Sequence, residues 1–482
     1  MYRGDKKTLQ ITGFWMGASL LGLWLMFVMP DSLGQVFKDN WICDVICLEI
    51  SINILLFMYS KSIIDFFSPV IYVSVIYILM FFVTPIYDIN RGAIDAFGVL
   101  DLFNYGVKGS VVAILGFMSF CLLYSYRYTK SSSSGEQRQT TELLPDSRLQ
   151  LEKWLLIAWT VDFIFAIAIT IATKGFSITY ILSFGIFGEV TGTDTTSSSF
   201  GFIGQFTRSI VTFFLMYYYI SDNKKLKRVL FVLTAFIEMI HGFRYMIVIL
   251  VIGYFYSAFL IKKKKVNIVY LLLLFILLSV IVGVVGYTRN TVRNGAGFSL
   301  NGFKMDDIIY AVIGNFRIYK SYYGVIKAVP ALTDYLYFDQ ILFYTIILAV
   351  PRVIWPGKPG NPGTKAQLYG INQYAVNSGF AYPCLGEYYY SFGITGVVFF
   401  MGIMGHWLAS TAVKYRVNCN KEVDLVIYSV TVSMMLQLLI RGYTPGNFYL
   451  VLALYIPYWF VDSYYKKHAV AVNKESELNE QE

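Results

Sequence analysis

Apolar residues in this chain come in long blocks, not in the alternation of a half-buried strand. Blocks of about 20 positions, each ended by a short polar interval, fall near residues 10–30, 41–59, 66–85, 107–126, 154–173, 203–221, 229–243, 245–261, 266–287, 392–413, 423–440 and 447–465. A helix of about 20 residues crosses the hydrocarbon core of a bilayer. It also satisfies every backbone donor and acceptor from within, which lipid demands. The pattern predicts an all-α polytopic membrane protein of about 12 transmembrane helices.

The polar intervals assign sides. Lysine and arginine gather at Arg3, Lys6 and Lys7, at Lys61, between Arg127 and Lys153, from Lys224 to Arg228, from Lys262 to Lys265, between Lys414 and Lys421, and at Lys466 and Lys467. All of these clusters share one side if there are twelve crossings and both termini are cytoplasmic, and removing one crossing scrambles the agreement. Residues 1–287 then carry helices one to nine, and 288–391 form one large extracytoplasmic loop with short helices of its own. Residues 392–467 carry helices ten to twelve, and 468–482 are an acidic cytoplasmic tail expected to be disordered. The 131–152 linker reads as polar and flexible. Only about 33 residues separate Arg228 from Lys262, so two crossings there place the His241–Arg244 turn close to membrane depth.

Composition supports this reading. The 482 residues are 56% hydrophobic and 14% charged, and mean hydropathy is +0.57; a soluble domain carries about 25% charged residues. The net charge of +9 sits mostly in the short intervals that set orientation, so it points to topology and not to nucleic acid. No phosphate-cradling Walker loop is present. The five cysteines lack zinc spacing with a histidine, so no metal is expected. The run after Lys7 is long enough to be a first crossing, which argues against a cleaved leader. Aromatic residues make up 18%; part forms interfacial belts, and the rest suits stacking on sugar rings.

Charges at membrane depth cost about 2.5–3.5 kcal/mol on insertion scales and therefore invite a functional reading. Arg208, Arg244, Arg289, Arg293, Arg352 and Arg441 all fall at or beyond the expected outer ends of helices. Guanidinium forks match phosphate oxygens in two-point geometry, and a lipid pyrophosphate lies at that depth. Arg244, Arg352 and Arg441 lead this set, with Arg289, Arg293, Arg317 and Lys358 beside them; headgroup snorkelling is the plainer account. Glu238 lies shortly before His241 and Arg244 and is expected to neutralise one of them. Glu387, among Tyr388, Tyr389 and Tyr390, can accept the proton of a sugar hydroxyl as it attacks an activated anomeric carbon. His241 is a second candidate base, because imidazole titrates near neutral pH. Pro351, Pro356 and Pro359 fix an extended, turned path. The apolar run Phe343 to Val350 before them is too short to cross and reads as an interfacial or re-entrant helix.

Gly242-Phe243-Arg244, Pro351-Arg352 with Trp355-Pro356 and Lys358-Pro359, Gly386-Glu387-Tyr388 leading to Phe392-Gly393 and Gly396, and Arg441-Gly442 together resemble Wzy-type polymerases of oligosaccharide repeat units, the O-antigen and capsule polymerases. Arg352 and Gly363 also fit an arginine-to-glycine spacing described for some members. The resemblance implies an integral-membrane glycosyltransferase of the bacterial cytoplasmic membrane with an extracytoplasmic site. Its substrates would be undecaprenyl-pyrophosphate-linked oligosaccharides among membrane lipids, with no cofactor and no nucleic acid. A flippase and a chain-length regulator would be its partners. An O-antigen-type ligase shares donor and topology. A lipid-linked oligosaccharide flippase, which would want polar residues along several helices, and an enzyme-free envelope scaffold are rivals from other classes.

Overall fold

A computed structural model describes residues 2–30, 32–91, 100–132, 140–174, 203–241, 244–262, 313–314, 316–351, 354–363 and 382–472. The described chain is helical apart from one two-stranded ribbon. The helices are α1 (Tyr2–Phe27), α2 (Gln35–Ser60), α3 (Pro69–Asn90, with a π-helical centre), α4 (Gly106–Ser132), α5 (Pro145–Lys174), α6 (Ser209–Ile220), α7 (Lys224–His241) and α8 (Arg244–Lys262). They continue with α9 (Tyr319–Ala328), α10 (Tyr344–Leu348), α11 (Cys384–Ala412), α12 (Glu422–Ile440) and α13 (Thr444–His468).

Each predicted apolar run coincides with helix, except 266–287, which lies outside the described residues. Among the described residues, 6 helices qualify as membrane-crossing by length and apolarity: α2, α3, α4, α5, α11 with its π-helical extension, and α12. The described residues therefore do not establish the predicted count of 12. Helix α12 has 78% of its apolar window inside the protein against 22% for α5, so α12 is the central pillar and α5 the lipid-facing flank. Inside lipid, helices gain little from hydrophobicity and associate by close packing and interhelical hydrogen bonds. Thr431 on α12 shares such a bond with Tyr455 on α13 at 2.6 Å. Helices α4 and α11 make the most extensive contact. A Cβ on Gly405 would collide with the Phe120 backbone, and Ser119 Oγ donates to the Val398 carbonyl at 2.7 Å. Gly405→Leu is expected to wedge these helices apart at a cost of about 1–3 kcal/mol or more. Thermal unfolding in detergent should show a clear loss relative to a lipid-facing control such as Phe399→Leu.

Cationic intervals predicted to share a side do meet. Arg416 pairs with Asp65, Lys421 with Asp462, and the Thr141 amide donates to the Asn420 carbonyl at 3.1 Å. Arg148 reaches the Ile220 carbonyl at 3.0 Å. Strand β1 (Thr140–Leu143) pairs antiparallel with β2 (Ala469–Val472), Thr140 opposite Val472. This corrects two expectations: part of the polar linker and the start of the tail are strand. Each is too short to show a pattern alone; pairing between distant segments creates the structure.

One buried charge cluster ties the end of α3 to the segment that opens α9. Asp88 is fully buried; Arg317 binds it through Nε at 3.0 Å and Nη2 at 2.8 Å, Tyr319 donates at 2.8 Å, and Lys320 approaches to 3.3 Å. Arg317 is thus committed to a carboxylate.

Candidate functional site

Helix α11 is broken within its first third. Phe392 and Gly393 leave helical geometry, and Gly393 takes φ +64°, the left-handed region that costs other residues strain. The break frees carbonyls that lipid could not satisfy. The loop segment before α10 answers them: the Leu336 amide donates to the Tyr390 carbonyl and the Tyr337 amide to the Ser391 carbonyl, both at 3.0 Å. Tyr337 and Phe338 pack edge-on against Phe392, centroids 5.8 and 5.0 Å apart. The loop is thereby plugged into the bundle. It continues as a π-helical turn (Asp339–Phe343) into α10, an apolar segment too short to cross, as the sequence indicated. Gln340, Tyr344 and Leu348 face the protein, while Leu342, Phe343 and Ile346 are exposed.

Glu387, one turn into α11, lies at the centre of this knot. It is 1% exposed. Its Oε1 accepts from Gln340 Nε2 at 2.8 Å, the Thr444 amide donates to both oxygens at 2.9 Å, and Thr444 Oγ1 donates to Oε2 at 2.7 Å. Thr444 opens α13, and its amide has no partner within that helix, so Glu387 caps α13 from a neighbouring helix and meets the positive end of its dipole. Tyr382 fixes the geometry further. Burial pushes its phenol well above the ordinary range, so it stays a donor, and it donates to Gln340 Oε1 at 3.1 Å. That leaves the Gln340 amide nitrogen to face Glu387. The Tyr382 carbonyl in turn accepts from the Gly442 amide at 2.7 Å. Gly363 lies against Gln340 and Tyr382, where a Cβ would collide with both.

Arg441 ends α12 on this same turn. Its side chain is exposed, and it lies within electrostatic reach of Tyr245 on α8. Arg208, at the entry to α6, sits 5.3 Å above the Tyr245 ring and is 5% exposed. Arg208, Tyr245 and Arg441 therefore converge, although they are distant in sequence. Lys358 closes α10. Its ammonium caps the end of α10, donating to the Leu348 and Val350 carbonyls at 3.0 Å. The charge acting most on Glu238 is Arg208, and neither Glu238 oxygen accepts a hydrogen bond. The expected pairing of Glu238 with His241 or Arg244 falls on side chains outside those described. Arg289, Arg293 and Arg352 lie outside the described residues; His241 and Arg244 close α7 and open α8, but their side chains are not described. Gln340, Tyr382 and Thr444 escaped the sequence reading. Thr444-Pro445, a helix-start signal after Arg441-Gly442, was the one available hint.

The fold and site define a polytopic membrane protein with a broken helix and a plugged-in loop at one end of the bundle, beside convergent arginines and aromatics. The family model for the O-antigen polysaccharide polymerase Wzy matches residues 15–468. The chain belongs to that family. No curated protein and no solved structure matches it.

Proposed function

We propose that this protein joins undecaprenyl-pyrophosphate-linked oligosaccharide repeat units outside the bacterial cytoplasmic membrane, with both of its termini inside. A hydroxyl of one lipid-linked unit attacks the anomeric carbon of the growing chain, whose bond to the pyrophosphate breaks. The observation that carries the reading, beyond family membership, is the convergence of Arg208 and Arg441 on Tyr245 beside the broken helix. Guanidinium groups there can hold a diphosphate and offset the charge that develops as it leaves. Arg244, Arg352, Arg289 and Arg293 complete that role in the proposal. Exposed aromatics of the plugged-in loop, Tyr337, Phe338 and Trp355, offer faces for sugars and anchors at the interface.

Glu387 and Lys358 take different roles from those the sequence suggested. With three donors on its two oxygens, Glu387 has little capacity for an acceptor hydroxyl. We assign it to positioning the turn that bears Arg441, and Lys358 to fixing the end of α10. His241 stays the proposed base. A flippase, a chain-length regulator and membrane lipids are the proposed partners.

Arg441→Ala should lower polymer formation by about 10²-fold or more, the scale of losing one electrostatic contact to a developing charge, with thermal stability within about 0.5 kcal/mol of wild type, as for exposed side chains. Gel analysis of polymer made by purified variant and wild type reads the first, and thermal unfolding the second. Wild-type polymer from Arg441→Ala removes Arg441 from the site.

A further inference from the structure

Helices α4 and α11 run in parallel along a seam that opens to the outside of the bundle. Ser119 Oγ meets the Val398 carbonyl at 2.7 Å, a Cβ on Gly402 would strike Leu123, and Arg127 meets Ser410. These contacts advance in the same direction along both helices. Beside the seam, Met118 and Leu122 on α4 and Phe399 and Ile403 on α11 are exposed. Both helices qualify as membrane-crossing, so these residues form an apolar flank turned toward lipid.

The seam ends in a fixed cation. Arg127 follows the apolar stretch of α4, and its Nε donates to Ser410 Oγ at 2.9 Å. Ser410 Oγ in turn donates to the His406 carbonyl at 2.9 Å, which orients its lone pairs toward the guanidinium. The terminal nitrogens Nη1 and Nη2 make no hydrogen bond or ion pair with the described residues. Their shared edge matches two oxygens of a phosphate. Lys414, one turn beyond Ser410 on α11, is exposed and adds a second cation to this end of the seam. Arg416 and Lys421, a little further along the chain, each have a carboxylate partner; for Arg127 the described residues supply none.

A guanidinium that only snorkels keeps its whole fork mobile among headgroups. Arg127 instead commits Nε to the neighbouring helix and presents its free edge where the apolar flank stops. Cations at the end of a seam between membrane helices suit an anionic headgroup, and the exposed seam suits the hydrocarbon attached to it.

We propose that Arg127, oriented by Ser410, holds the phosphate of one anionic phospholipid whose acyl chains lie along the α4–α11 seam. The lipid straps α4 to the helix that carries the Glu387 knot, and it stabilises the folded protein by mass action. Placing the headgroup in the cytoplasmic leaflet rests on the proposed topology; the site itself does not.

The test is native mass spectrometry of purified, delipidated full-length protein titrated with phosphatidylglycerol. Arg127→Lys keeps the charge but loses the fork, and should weaken the tightest lipid site by about fivefold or more, the scale of losing one hydrogen bond to a charged group. Lys467→Gln removes a charge elsewhere on the surface and should change it by less than about threefold. Should Arg127→Lys not fold, Ser410→Ala serves instead: it frees the guanidinium without changing net charge and should also weaken the site more than Lys467→Gln does. Glycerol phosphate, the headgroup without chains, should fail to compete with the lipid. Lipid binding as tight in the Arg127 or Ser410 variant as in Lys467→Gln overturns the site. Glycerol phosphate binding as tightly as the lipid overturns the assignment to a phospholipid in favour of a soluble phosphate. Polymer formation enters neither readout, so failure of the proposed activity and failure of this inference remain distinguishable.

Discussion

Glu387→Gln is expected to lose both polymer formation and thermal stability, although it changes one atom. Tyr382 donates to Gln340 Oε1 and so presents the Gln340 amide hydrogens to position 387. Thr444 presents its amide and hydroxyl hydrogens to the same carboxylate from the other side. An amide at 387 must turn its own NH2 toward one of these donors, leaving a buried donor–donor contact at a cost of about 1–3 kcal/mol. The knot then loosens between α11, the π-helical turn and α13, and the turn bearing Arg441 drifts. Gln340→Leu and Thr444→Val should lower the unfolding temperature in parallel. If Glu387→Gln abolishes polymer formation while unfolding at the wild-type temperature, Glu387 is a reacting group and the positioning role is wrong.

Asp88→Ala should be the most damaging single change to folding. Its carboxylate is the shared partner of Arg317 and Lys320 in a site where both cations are about 9% exposed. Removing one partner of a buried ion pair typically costs 3–5 kcal/mol, because the remaining charge is stranded. Here two charges are stranded, and the link between α9 and α3 goes with them. Fluorescence-detected size exclusion of tagged protein should show loss of the monodisperse peak. Arg317→Met in the same background removes one stranded cation and should restore part of it. A peak for Asp88→Ala equal to wild type would mean that the cluster contributes little.

Helix positions were legible because lipid forces a near-continuous apolar run on any crossing segment. The contact between two cationic intervals is in keeping with the charge pattern: Arg416 of one meets Asp65 of the other, far apart in sequence. Contacts specified by tertiary placement were not. Phe392-Gly393 stood out as a pair of residues, but nothing local shows that the amides of Leu336 and Tyr337 complete the break. Gln340 looks like any polar residue in a loop until Tyr382 and Glu387 flank it. Arg208 and Glu238 are 30 residues apart, and local spacing favoured His241 and Arg244 as partners of Glu238. Strand β2 has four residues and depends wholly on β1.

The central claim is that this chain, by itself, transfers glycan from one undecaprenyl pyrophosphate to another. Purified protein in liposomes, given only the undecaprenyl-pyrophosphate-linked repeat unit and no nucleotide sugar, provides the direct measurement. A ladder of products spaced by one repeat unit, with undecaprenyl pyrophosphate released for each bond made, is the predicted result. Intact substrate after prolonged incubation with folded protein, or its movement across the membrane without elongation, would contradict the account.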